Sequence, residues 1–129
     1  MNNGLIPNLN ELFQAKARLG IMTVLSSMRD SDFLTIKNQL GLTDGNLSVH
    51  LRVLEEAGYI EIEKKFVKRK PKTICRLTPA GREAFLHYLK QLEQIIQLAR
   101  KEEKRKARRP RISSRGHFFY LAAHKKVAY

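Results

Sequence analysis

The sequence predicts a mainly α-helical domain that carries one small β-hairpin. Three observations predict it. Apolar residues recur at helical intervals in four segments of the chain. A single pair of short runs, Tyr59 to Glu63 and Thr73 to Leu77, reads instead as two antiparallel strands. Between those two runs lies KKFVKRKPK, a dense block of positive charge.

The elements follow in order. Asn8 is a good helix N-cap, and Glu11 stands at the capping-box spacing from it. Leu12, Phe13, Leu19, Met22, Leu25 and Met28 then mark a helix from about Leu9 to Met28, which Asp30, Ser31 and Asp32 break. Phe33, Ile36 and Leu40 share one face of a short second helix, roughly Leu34 to Leu40, stopped by Gly41. Thr43 is the N-cap of a third helix whose inner face is Leu47, Leu51 and Leu54, and Gly58 ends it as a left-handed cap. Two short helices joined by Gly41-Leu42-Thr43 form a helix-turn-helix. The hairpin comes next, and a basic hairpin directly after such a unit is the wing of a winged helix. Thr78 and Pro79 open the last helix as N-cap and first helical residue. Phe85, Leu89, Leu92, Ile96 and Ala99 follow in a heptad-like stripe. The fold class is therefore a winged helix-turn-helix with a long C-terminal dimerisation helix. Residues 1–8 are a leader, 9–99 the winged-helix domain, and 100–129 a basic C-terminal extension.

Composition bounds the function. The chain has 129 residues, about one domain, and a formal net charge of +13. Its cations are clustered: residues 64–82 hold eight Lys or Arg and no acid, whereas residues 1–63 hold five against eight acids. A footprint this localised points to a polyanionic partner. The single cysteine, Cys75, excludes an intramolecular disulfide and a Cys-only metal site. A lone cysteine fits a reducing compartment, and the expected location is cytoplasmic. No signal peptide and no apolar run long enough for a membrane span is visible. No cofactor is expected. Neither GxSxG, HExxH, a phosphate-binding loop nor a dinucleotide fingerprint occurs, so the chain is not expected to be an enzyme.

The runs ARLGIMTVL, LGLTDGNLSVHLRVLEEAGYIEIEKKF, RKPKT and RLTPAGREAF together resemble the winged-helix regulators grouped near the MarR and ArsR families. The likeness covers roughly Ala17 to Leu92, and the segment after about Arg109 falls outside it. It implies a dimeric transcription factor that binds operator DNA. The ArsR branch often carries a cysteine-rich metal site, which Cys75 alone does not supply.

With its leucines turned inward, the third helix leaves Asp44, Gly45, Asn46, Ser48, Val49 and Arg52 outside, with Thr43 at its start. The major groove is read by such side chains near a helix N-terminus. Asn46 suits adenine, Arg52 guanine or phosphate, and Val49 a thymine methyl, while Gly45 permits close approach. Asp44 suits the helix start and not a phosphate. The wing offers Lys64, Lys65, Lys68, Arg69, Lys70 and Lys72 to the backbone or the minor groove. Phe66 and Val67 between them are open to two roles, packing or a wedge. His50, at the edge of the inner face, is either a structural residue or one that faces DNA or a ligand. Leu12 and Phe13 of the first helix, with Phe85, Leu89, Leu92, Ile96 and Ala99 of the last, are the expected dimer surface. The reading is a homodimeric regulator of a palindromic operator in double-stranded DNA. The rivals are a winged-helix adaptor that binds protein, and a non-specific nucleic-acid binder driven by the basic tail.

Overall fold

The computed structural model describes residues 4–108. The expectations placed on the tail beyond them lie outside the described residues. By internal contacts the chain divides after Gln94 into two units.

The first unit holds a short 3-10 turn, Glu11–Phe13, then α1 (Lys16–Ser27), β1 (Asp30–Asp32), α2 (Phe33–Leu40), α3 (Asp44–Glu56), β2 (Ile60–Val67), β3 (Lys70–Leu77) and the start of α4 (Pro79–Arg108). The strands form one antiparallel sheet in the order β1-β3-β2. Its core is Phe13 of the 3-10 turn, Ile21, Met22, Val24 and Leu25 of α1, Ile36 of α2, Leu47, Leu51 and Leu54 of α3, Ile60 and Cys75 of the sheet, and Phe85 and Tyr88 of α4.

The N-terminal helix is shorter than its periodicity predicts. Asn10, not Asn8, is a cap, and it caps only the 3-10 turn: its Oδ1 accepts from the Leu12 amide at 3.0 Å, and the chain is extended again at Ala15, where α1 begins with no side-chain cap. The break is set by burial. Phe13 is completely buried against three rings, with centroids 5.4 Å from Tyr59, 5.5 Å from Phe85 and 5.4 Å from Tyr88. Arg18 holds the kink from below, its Nε donating to the Leu12 carbonyl at 2.7 Å. Aromatic burial outweighs the small cost of interrupting one marginal helix.

Asp30 to Asp32, read as a helix break, is a third strand, with Asp30 opposite Arg76 and Asp32 opposite Ile74. An ion-pair ladder fastens it. Arg76 meets Asp30 through Nε at 3.1 Å and Nη2 at 3.3 Å, and Glu63 on the far strand through Nη2 at 3.0 Å. The guanidinium holds the Asp30 carboxyl below its ordinary range. Asp32 also caps α2, its Oδ1 accepting from the Thr35 amide at 2.8 Å.

The helix-turn-helix follows the expected path. Gly41 takes the left-handed conformation at φ +64 that lets α2 stop, and Thr43 Oγ1 caps α3 by accepting from the Asn46 amide at 3.1 Å. The hairpin arms run further than the two apolar runs. β2 and β3 stay paired from Ile60↔Leu77 to Val67↔Lys70, leaving only Lys68 and Arg69 as the turn. Strand pairing is made by the backbone, so a run of lysines does not prevent it. Thr78 joins wing to helix: its Oγ1 donates to the Gly58 carbonyl at 2.6 Å and accepts from the Gly81 amide at 2.9 Å.

Two expected dimer residues belong elsewhere. Phe13 and Phe85 are core residues of their own chain, packed edge to face on each other, and are closed to a second copy. Leu12 and Leu92 are half-buried against the same core. Leu89 is exposed on α4 beside Leu86. In the second unit the described residues are the helical stretch 95–108, where Ile96, Leu98 and Ala99 are exposed.

Candidate nucleic-acid interface

Every α3 residue expected to meet bases is exposed: Asp44, Gly45, Asn46, Ser48, Val49 and Arg52, together with the cap Thr43. The leucines at 47, 51 and 54 face the core and fix this orientation. Asp44 is not a bare negative charge, because Lys37 of α2 reaches its carboxylate at 2.7 Å. That pair ties the two helices of the motif together. Lys37 was missed in the sequence because it stands outside the basic block.

His50 is half-buried, and its Nδ1 lies 3.2 Å from Arg18 Nη1. Arg18 has no acceptor, so it must donate and the histidine nitrogen must accept. The same guanidinium bonds the Leu12 carbonyl, so the pair anchors α3 to α1. This is the structural alternative of the two roles open to His50.

The wing distributes its cations by strand alternation. Lys64, opposite Thr73, lies on the side of the sheet that carries α3. There Ser48, Arg52 and Glu55 of α3 face Ile62, Lys64 and Thr73 across a groove of about 620 Å³. Lys65, Lys70 and Lys72 project from the opposite side, and Lys68 and Arg69 form the tip with φ of 52 and 66. Lys72 is partly spent within the molecule, at 3.4 Å from Asp32. All six wing cations are exposed. Arg76, counted in the same basic stretch, is committed to the ladder described above.

Phe66 does not pack: it is 76% exposed. Cys75 does pack, fully buried in the sheet, and burial pushes its thiol up to about 11. Such a thiol is inert at neutral pH. Among the described residues no group of three or more His, Cys, Asp or Glu is placed to hold a metal ion, and no helix is long and apolar enough to cross a membrane.

Known proteins share this fold. An uncharacterized protein of Methanocaldococcus jannaschii is 38% identical over 85 residues, which are 66% of this chain and 92% of that protein. The structure of a transcriptional regulator homologue from Pyrococcus horikoshii superposes with a TM-score of 0.65 at 35% identity, over 68% of this chain and 87% of the other. The crystal structure of MarR shares the fold, with a TM-score of 0.60 over 91% of this chain and 78% of the other, at 19% identity. Residues 17–96, from α1 through the wing into α4, match the winged helix DNA-binding domain, and the chain belongs to that family.

Proposed function

We propose that the chain is a sequence-specific regulator that binds double-stranded DNA as a homodimer, with α3 in the major groove and residues 64–72 on the backbone or minor groove. One observation carries the reading. The polar face of α3 and Lys64 of the wing border the same groove, with the basic hairpin continuing outward from it. A duplex laid against this side meets base-reading groups and phosphate-binding groups together. The second copy is recruited through Leu86, Leu89 and Ile96, three of the exposed apolar residues of α4.

Selection from a random pool of duplexes tests the proposal. The expected result is a palindromic consensus bound far more tightly than random duplex, with affinity that falls steeply as salt rises. Neutralising Lys68, Arg69 and Lys70 together should flatten the salt dependence by about one logarithmic unit per lost phosphate contact. Equal affinity for all duplexes would replace the reading with a non-specific binder. No affinity for any duplex would leave the protein-binding adaptor.

A further inference from the structure

We propose that Phe66, with Pro71 beside it, is a wedge that enters the minor groove, separates one base step and bends the duplex. The inference rests on the DNA-binding reading above and goes beyond it, since that reading asks of the wing only charge.

The hairpin geometry places the wedge. Lys68 and Arg69 form a two-residue turn, so Val67 and Lys70 are the hydrogen-bonded pair that closes it. Phe66 and Pro71, one step back, are then a pair without mutual hydrogen bonds. Proline has no N–H to donate and is at home in such a position. Side chains of these pairs approach each other most closely, so ring and pyrrolidine form one apolar blade. Both residues are exposed, and Phe66 keeps 76% of its surface open. The blade points to the same side of the sheet as Lys64, about 7 Å further out along the strand. It is therefore on the side that carries the reading face of α3.

Charge identifies what covers it. Lys64 stands inward of the blade, Lys68 and Arg69 stand at the tip, and no acid occurs in residues 64–82. Cations on either side of an apolar blade match phosphates on either side of a base step. Apolar side chains inserted into the minor groove unstack a step and kink the duplex, most cheaply at pyrimidine–purine steps. A protein surface would need acids on both flanks and a pocket between them, and is the alternative that the test addresses.

The test compares wild type, Phe66→Ala and Phe66→Leu on duplexes selected by the wild type from a random pool. Bending is read by energy transfer between dyes at the duplex ends, and unstacking by 2-aminopurine placed at the flanking step. The wild type should select a TA or CA/TG step at fixed distance from the bases read by α3, bend the duplex, and brighten the probe. Phe66→Ala should keep the preference for the α3 bases, lose the step preference and the bend, and bind about tenfold more weakly. Phe66→Leu should retain most of both. Because Phe66 is exposed, thermal unfolding should be unchanged in the variants. A bend and step preference unaltered in Phe66→Ala, or a straight duplex in the wild-type complex, would overturn the wedge while leaving the DNA-binding reading intact. A wild type that binds no duplex would overturn both.

Discussion

Asn46 and Arg52 lie on one exposed face of α3 but in different surroundings. The backbone of Asn46 is engaged by the Thr43 cap, which leaves its side chain free at the first turn. Arg52 borders the groove between α3 and the sheet, near Glu55 and Lys64. Asn46→Ala should therefore cost roughly 1–3 kcal/mol at one base position and relax the preference there. Arg52→Ala should do the same if the guanidinium meets a guanine, whereas a uniform loss on selected and random duplexes assigns it to a phosphate. Titration of each variant against single-base operator changes distinguishes these outcomes. Cys75 makes a prediction of a different kind. Its folded pKa, about 11, exceeds the ordinary 9.0 because the thiolate would be buried. The unfolded chain thus loses this proton first as pH rises. Stability from the neutral buried thiol is complete below about pH 9 and is lost between 9 and 11. Comparing denaturant midpoints of wild type and Cys75→Ala across that window should show a fall that the variant lacks. Thiol reagents should label the native wild type slowly at neutral pH.

At the scale of elements, the wing combines charge and strain in the same two residues. Lys68 and Arg69 both have left-handed backbones, which side chains of this kind adopt at a cost. Asn-Gly is the pair best suited to such a turn. Replacing Lys68-Arg69 with Asn-Gly should stabilise the hairpin by about 1 kcal/mol or more and weaken DNA binding at the same time. Opposite signs in thermal unfolding and in duplex affinity would show that the turn cations serve a ligand at the expense of the fold. A loss in both measurements would contradict this. The outer face of the sheet behaves differently. Arg76 links three strands through Asp30, Glu61 and Glu63. Its charge belongs to the fold although it stands in the basic stretch of sequence.

At the scale of the whole molecule, the question is what a second copy can grip. Phe13 and Phe85 are already used inside one chain, and Leu92 half belongs to the same core. Exposed Leu89 and Ile96 stand seven residues apart on α4, the spacing that repeats along a two-helix seam. Leu89→Asp with Ile96→Asp should therefore leave the fold intact, convert dimers to monomers in sedimentation, and abolish tight binding to a palindrome while sparing weak binding to a half-site. Leu92→Asp should instead also lower the unfolding midpoint, since that side chain rests on the core. Wild type that sediments as a monomer at micromolar concentration, with or without duplex, would refute the homodimer.

The sequence by itself determined the helix-turn-helix, the hairpin and the outward face of α3. Those features rest on local periods, caps and glycines, such as Thr43, Gly41 and the leucines at 47, 51 and 54, whose effects act within a few residues. Tertiary structure decided the rest. Whether Phe13 continued a helix or broke it depended on three rings distant in sequence. Asp30 to Asp32 became a strand because β3 presented an unpaired edge and Arg76 to receive it. Which apolar residues of α4 were consumed by the core, and which stayed exposed, depended on how that helix packed on Phe13 and Tyr59. The exposure of Phe66 was also settled by packing alone. A period of two assigns a side chain to one face of a strand, but only the reach of the core along that face decides whether anything covers it.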